Sequence, residues 1–236
     1  MKNTAYRSNT TLTVMLLLPA MVLFAACGAK KDNCCNALHS GDLLFVGLAD
    51  CERSDGSMAN AIVSATGDDT VNFFHVAVVD IDSAGTWVID AGTKRGVDRR
   101  SLDTFLADIK LDDGSMPIVE AMRLCDSAGV HLFVATARSL VGMPYDLAFL
   151  PANGALYCSE LVRDSYVRRP CDTLFEAKPM NFLSPDGTCD AYWQRLFDSL
   201  GMAVPQGMPG TNPNDMHKSS ILKRVCSPLI TEHKTR

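Results

Sequence analysis

The sequence lacks the signatures of several common enzyme classes. It contains no GxSxG, no HExxH, no phosphate-binding loop and no dinucleotide fingerprint, so serine hydrolase, zinc protease and nucleotide-dependent functions have no support. No CxxC spacing occurs among the nine cysteines, which argues against a zinc site. We therefore expect neither a metal nor any other cofactor.

Positive charge is also scarce. The formal net charge is -5, and the longest basic clusters are the pairs Arg99-Arg100 and Arg168-Arg169, which we interpret as solvated surface. Because a nucleic-acid-binding domain usually carries a basic stripe, nucleic acid is not an expected partner. The charged fraction of 21% is too low for disorder, and the apolar fraction of 47% suffices for a hydrophobic core.

No apolar run is long enough to span a membrane, which takes about 20 residues. The run Val14–Ala26 is shorter and contains a proline, and Lys2 and Arg7 precede it. This pattern predicts a signal peptide over residues 1–26. The run ends in LFAAC, which resembles a lipobox, so Cys27 is predicted to carry the lipid of a mature lipoprotein. An ordinary cleavage site beside an unmodified cysteine is the alternative.

The remaining chain predicts a tether at residues 27–39 and one domain at 40–236 whose C-terminal tail wraps around it. We expect a monomer in the cell envelope, anchored to a membrane, at the periplasmic face of the outer membrane or at the cell surface. Once Cys27 and Cys158 are set aside, seven of the nine cysteines remain. An odd number cannot pair fully within one chain, so no disulfide framework is expected.

Hydrophobic periodicity predicts an α+β fold. The predicted strands cover residues 43–46, 71–81, 87–91 and 117–122, and the predicted helices cover 57–66, 101–109, 127–141, 158–167 and 190–200. The strand Val71–Ile81 is apolar on both faces, which is typical of a strand buried inside a sheet. Gly142–Leu156 and Val204–Pro213 are predicted to be loops.

Cys158 is the best candidate for a nucleophile among the cysteines. It follows the loop Gly142–Leu156 and begins a predicted helix. The dipole and free N–H groups of a helix N-terminus stabilise a thiolate. On position alone, a buried structural cysteine is an equal alternative.

His75 and Asp90 are the best candidates for a catalytic base and its partner. His75 interrupts an apolar strand and Asp90 another, and each buried polar group needs a partner. The two residues are centred on the Asp82-Ser83 turn, so a hairpin closed there brings them within a residue or two of cross-strand register. A carboxylate beside an imidazole fixes its tautomer and stabilises its protonated form. A satisfied core histidine is the alternative.

The segments FFHVAVVD, VIDAG, GMPYD and LYCSELV together resemble the circularly permuted, YiiX-like branch of the NlpC papain-like superfamily. The resemblance covers roughly residues 40–216. It implies a papain-like fold of permuted topology, with an antiparallel sheet or small barrel packed against helices. It also implies that Cys158 is the nucleophile, His75 the base and Asp90 the orienting residue, where relatives often have glutamate. Tyr145 resembles a family tyrosine that helps to hold the oxyanion, although it could equally anchor the loop.

The predicted function is a thiol hydrolase that cleaves an amide bond through an acyl-enzyme on Cys158. The expected substrate is a cell-wall peptide or an N-acyl compound. The permuted branch also resembles lecithin–retinol acyltransferases, so an acyltransferase or thioesterase acting on lipid-like substrates is an alternative. A non-catalytic lipoprotein that binds lipid or peptide is another. An apolar tunnel beside Cys158 would favour acyl chains, and a groove with carboxylate-binding groups would favour peptides.

Overall fold

The computed structural model describes residues 38–49, 56–111, 114–169 and 172–226. The predicted signal peptide, Cys27 and most of the tether lie outside these ranges. The strands are β1 (Leu43–Ala49), β2 (Val71–Asp82), β3 (Gly85–Gly92), β4 (Gly96–Ser101), β5 (Ile118–Leu124), β6 (Val167–Arg169), β7 (Asp172–Thr173), β8 (Lys178–Pro179), β9 (Pro209–Gly210) and β10 (Leu222–Cys226). The helices are α1 (Met58–Thr66), α2 (Leu102–Asp108), α3 (Val130–Ser139), α4 (Cys158–Ser165), α5 (Ala191–Ser199) and α6 (Pro213–His217). None of these helices is long and apolar enough to cross a bilayer.

Six strands form an antiparallel sheet in the order β10-β5-β1-β2-β3-β4. Because successive side chains of a strand point to opposite faces, Leu43 of β1 packs with residues of α3 and α4, whereas Leu44 packs with residues of α2. Both faces of β1 and β2 are therefore covered. This explains their unbroken apolar runs and confirms the predicted α+β class.

Polar caps start four of the helices. Ser57, Ser101, Asp190 and Asn212 each accept a hydrogen bond from a backbone N–H two or three residues later. The helix predicted from residue 127 begins only at Val130, because Gly129 has φ of 79°, outside the helical range.

The edge strand β4 was not predicted, because its sequence GVDRRS is charged and lacks apolar alternation. It positions the loop that leads to Cys158. The Val97 N–H donates to the Met143 carbonyl at 2.8 Å, and the Gly142 N–H donates to the Val97 carbonyl at 2.8 Å. A side chain at Gly96 would place Cβ 2.3 Å from the Met143 oxygen, so only glycine permits this approach.

The C-terminal segment after α5 packs against the body of the domain. Its residues 207 and 208 exchange backbone hydrogen bonds with Met180 at 2.9 Å each, and β9 pairs with β8. Asn214 is buried, and its Oδ1 accepts a hydrogen bond from the Phe73 N–H of β2 at 2.6 Å. The helix α6 and the strand β10 in this segment were not predicted, because each is only five residues long.

Candidate active site

Cys158 is the first residue of α4. Tyr157 before it is extended, with φ of -92° and ψ of 169°, so the chain turns sharply into the helix at the thiol. The first N–H groups of a helix have no acceptor within it, and they lie beside Cys158. The preceding loop is fixed because the Leu156 N–H donates to the Pro144 carbonyl at 3.0 Å. The thiol is therefore held on a rigid element and is only 4% exposed.

His75 and Asp90 form a hydrogen-bonded pair on β2 and β3. The distance between His75 Nε2 and Asp90 Oδ2 is 2.7 Å. Val78 pairs with Ile89, so the register of the hairpin differs by two residues from the one centred on Asp82-Ser83. The two side chains are thus diagonal neighbours, within the predicted tolerance. Since Nε2 donates to the carboxylate, Nδ1 is the ring nitrogen left to face a thiol.

Arg100 completes the cluster from β4. Its two terminal nitrogens donate to the two oxygens of Asp90 at 2.7 and 3.0 Å, the bidentate geometry of strong arginine–carboxylate pairs. Phe105 of α2 packs near both side chains that bind Asp90. The Arg100 guanidinium lies 5.3 Å from the centre of the Phe105 ring, and the centre of the His75 ring lies 6.3 Å from it.

The interpretation of Arg99-Arg100 as solvated surface was wrong. Arg99 donates to Asp80 and Asp82 at 2.7 Å each, and Arg100 binds Asp90. The charged strand β4 could have been recognised from one signal, since buried Asp80 and Asp90 on adjacent strands both require cationic partners. The pattern of residues within one strand does not predict an ion pair with a residue on another strand.

Charge interactions within the cluster shift its pKa values. Burial alone would lower the pKa of His75, but its charge interaction with Cys158 and its hydrogen bonds to Asp90 and Cys158 raise that pKa to about 10. Burial would likewise raise the pKa of Asp90, but the His75 hydrogen bond and the charges of His75 and Arg100 lower it. These directions favour the imidazolium form of His75, with Asp90 ionised behind it.

Two cavities meet at Cys158. The larger one, called the cleft below, is about 880 Å³ and includes His75, Asp90, Arg100 and several exposed charged residues. The smaller one, called the apolar pocket below, is about 50 Å³ and is lined mainly by apolar side chains. Cys158 and Tyr145 line both. The thiol therefore lies between a wide space lined by both charged and apolar residues and a small, mainly apolar one.

A family model for permuted papain-like amidase enzymes, YaeF/YiiX, matches residues 37–226. The chain belongs to this family. The solved structure of metalloprotein YiiX from Escherichia coli O157:H7 is similar to it, with 21% sequence identity, a TM-score of 0.61, and coverage of 80% of this chain and 96% of that one. No curated protein matches the chain.

Family membership confirms the resemblance inferred from the sequence, and with it the permuted papain-like fold and the cysteine amidase or peptidase class. The likeness to YiiX, at 21% identity, extends to the fold alone. YiiX is described as a metalloprotein. In residues 38–226, apart from the undescribed gaps, no three His, Cys, Asp or Glu side chains gather as a metal site.

Tyr145, the fourth predicted site residue, lies beside Cys158. Its hydroxyl donates to Met58 Sδ at 3.6 Å, and a thioether is a weak acceptor. Burial and the neighbouring Cys158 charge raise the pKa of Tyr145 well above its usual value, so the phenol keeps its proton. The structure thus brings Cys158, His75, Asp90 and Tyr145 together, and their catalytic roles remain predictions.

Glu160 lies in the first turn of α4. It is 1% exposed, and its Oε2 has no hydrogen-bond partner among the described residues. The nearest cation is Arg163, whose Nη2 is 3.8 Å from Oε1. Burial raises the pKa of Glu160 to about 7. Neither cavity includes it among its lining residues, which agrees with a structural role.

Proposed function

We propose that this amidase-family protein cleaves an amide bond through an acyl-enzyme on the Cys158 thiol. The observation that carries the proposal is the arrangement of a thiol at a helix N-terminus, beside a histidine that is hydrogen-bonded to a buried aspartate at 2.7 Å. Such a chain of nucleophile, base and orienting carboxylate is the general pattern of an activated nucleophile.

In the first step, His75 Nδ1 takes the proton of the Cys158 thiol, and Sγ attacks the amide carbonyl carbon so that a C–S bond forms. The negative charge that develops on the carbonyl oxygen is stabilised by the N–H groups at the start of α4 and by the Tyr145 hydroxyl. His75 Nδ1 gives its proton to the nitrogen, the C–N bond breaks, and the amine leaves. His75 then takes a proton from water, whose oxygen attacks the thioester carbonyl; the C–S bond breaks, the acid leaves, and His75 returns the proton to Sγ.

Asp90 and Arg100 act behind the histidine. Asp90 holds the ring so that Nδ1 faces the thiol and stabilises the imidazolium. Arg100 holds both carboxylate oxygens, so Asp90 cannot rotate away from the histidine. A module that only binds lipid or peptide has no need of this four-residue arrangement, which disfavours the non-catalytic alternative.

The substrate proposed is a cell-wall peptide or a small N-acyl compound, because the cleft beside His75 is wide and is lined in part by charged side chains. An acyltransferase would use the same first step and differ in the group that removes the acyl chain. Adding glycine amide as acceptor separates the two, since a transferase forms the new amide in preference to the free acid.

Thiol reactivity tests the nucleophile directly. At pH 6, a free thiol with a pKa of about 8.5 is almost entirely protonated, so we expect iodoacetamide to alkylate Cys158 faster than the exposed free Cys125. Mass spectrometry of both peptides gives the two rates. Incubation with soluble cell-wall peptides should release new amines, and Cys158→Ala should abolish this release whereas Cys125→Ser should not. Faster alkylation of Cys125, or activity of the Cys158→Ala protein, would contradict the proposal.

The membrane anchor also stands as a proposal. We infer lipidation of Cys27 and attachment to an envelope membrane from the sequence pattern alone. Mass spectrometry of the N-terminal peptide from the membrane fraction should find diacylglycerol on Cys27, and Cys27→Ser should move the protein to the soluble fraction.

A further inference from the structure

The two cavities at Cys158 differ in which catalytic groups they contain. His75 and Asp90 line the cleft, whereas the described walls of the apolar pocket include neither of them. In the proposed reaction the histidine protonates the leaving amine, so the amine must lie on the histidine side of the thiol. The acyl part of the substrate then extends to the other side, towards the apolar pocket.

Packed aromatic rings form one wall of the apolar pocket. Trp193 of α5 contacts Phe149 and Phe182 edge-to-face, with ring centres 5.5 and 5.1 Å apart. All three side chains are almost fully buried. Edge-to-face aromatic contacts of this kind are favourable beyond their buried area, so the wall resists displacement by a long chain.

The C-terminal segment closes another side. The Thr211 N–H donates to the Tyr157 hydroxyl at 3.0 Å, and the Ser159 hydroxyl donates to the Thr211 carbonyl at 3.0 Å. At Gly210, a Cβ would lie 2.3 Å from Met180 Sδ and 2.7 Å from the Tyr157 hydroxyl oxygen. The segment is therefore packed directly against the residues that flank Cys158.

The size of the apolar pocket limits its occupant. A water-sized group needs roughly 10–15 Å³ on this measure, so about 50 Å³ has room for three to five non-hydrogen atoms. We propose that the apolar pocket binds the acyl side of the substrate and selects a small apolar group there, from the size of an alanine to that of a leucine side chain. This inference rests on the proposed function and deepens it, because it favours peptides and short acyl groups over long lipid chains.

Acylation by p-nitrophenyl esters tests this selection without a known substrate. Cys158 Sγ attacks the ester carbonyl, its proton passes to His75, the C–S bond forms, the C–O bond breaks, and p-nitrophenolate leaves with the electron pair. Each rate is divided by the rate for N-acetylcysteine, which removes the intrinsic reactivity of the ester. A buried methylene contributes about four-fold, so the butyryl ester should react about 15-fold faster than the acetyl ester and at least ten-fold faster than the octanoyl ester.

A pocket-filling variant identifies the site. Ala65 of α1 lines the apolar pocket, and Ala65→Leu adds three carbons there. It should remove the advantage of butyryl over acetyl, whereas Ala135→Leu, on the exposed face of α3, should retain it. Equal normalised rates for the octanoyl and butyryl esters would overturn this inference but not the proposed nucleophile. An unchanged preference for butyryl over acetyl in Ala65→Leu would do the same. If the wild type releases p-nitrophenolate no faster than Cys158→Ala does, both this inference and the proposed nucleophile would be overturned.

Discussion

Arg99 and Arg100 are neighbours on β4, and each binds a buried aspartate of the same sheet. Arg99 donates to Asp80 at 2.7 Å, and Arg100 donates to Asp90 at 2.7 and 3.0 Å. Because adjacent residues of a strand point to opposite faces, the two ion pairs lie on opposite sides of the sheet. The chemistry of the two pairs is nearly the same.

The second partner of each aspartate differs. Asp80 also binds Arg138 of α3, so two permanently charged groups hold it and the helix is tied to the sheet. The second partner of Asp90 is His75, which can gain or lose a proton and lies beside the thiol. A buried arginine–aspartate pair therefore does not indicate a catalytic role by itself. The second partner of the aspartate, Arg138 or His75, distinguishes the structural pair from the catalytic candidate.

The largest expected effect comes from neutralising each aspartate in turn. Asp90→Asn removes the charge that stabilises the His75 imidazolium, and we expect alkylation of Cys158 at pH 6 to slow about 100-fold or more. Asp80→Asn leaves Arg99 and Arg138 without their buried carboxylate. It should lower the free energy of unfolding by about 3–5 kcal/mol and leave the alkylation rate near that of the wild type.

Both measurements are needed on both variants. Urea unfolding gives the stability, and timed iodoacetamide quenching gives the rate, at a temperature where each variant is folded. Equal slowing in Asp80→Asn and Asp90→Asn would show that the two pairs do not differ as proposed.

Substitutions of Arg100 and Arg99 should show the same contrast as those of the two aspartates, with a smaller effect on the alkylation rate of Cys158. Arg100→Gln keeps the aspartate but frees it to rotate, so we expect alkylation of Cys158 to slow about ten-fold. Arg100→Lys keeps the charge without the bidentate geometry and should recover part of the loss. Arg99→Gln should reduce stability and leave the rate and its pH profile unchanged.

A pH profile separates positioning from loss of structure. In Arg100→Gln the profile of the alkylation rate should shift, because Arg100 contributes to the charge balance around Asp90 and His75. If the profiles of Arg100→Gln and Arg99→Gln coincide, Arg100 has only a structural role.

The sequence could locate the nucleophile and the His75–Asp90 pair because each has a local signature. A loop followed by a helix marks Cys158, and a polar residue inside an apolar strand marks the other two. The pairing followed from a hairpin, in which turn position alone limits which residues can meet. The same reasoning predicted β1, β2, β3 and α4 with only small errors in their limits.

Arg100 and the apolar pocket could not be predicted, because both depend on contacts between distant segments. The apolar pocket combines α1, α5, the loop before Cys158 and the C-terminal segment around Thr211. Ala65 and Trp193, which line it, have the ordinary apolar spacing of helices that pack against a core. No pattern within either helix marks a binding site.

Substitution of Glu160 is expected to have the smallest effect on the reactivity of Cys158. Glu160 extends the comparison to a buried carboxyl group that has no close arginine partner. It is as buried as Asp80 and Asp90, but no arginine binds it closely, and burial raises its pKa to about 7. The folded protein therefore favours its neutral form. This contribution to stability is present below pH 4.5 and is lost as the pH rises through 7.

From pH 5 to pH 8, the wild-type protein should therefore lose about 2–3 kcal/mol more unfolding free energy than Glu160→Gln, which stays neutral throughout. Glu176→Gln, at an exposed position, should keep the wild-type pH dependence, and both variants should alkylate Cys158 within about three-fold of the wild-type rate. Urea unfolding at the two pH values measures the difference. An identical loss in wild type and Glu160→Gln would mean that Glu160 is charged in the folded protein. A partner outside the described residues would then have to stabilise it, as Arg99 and Arg100 stabilise their aspartates.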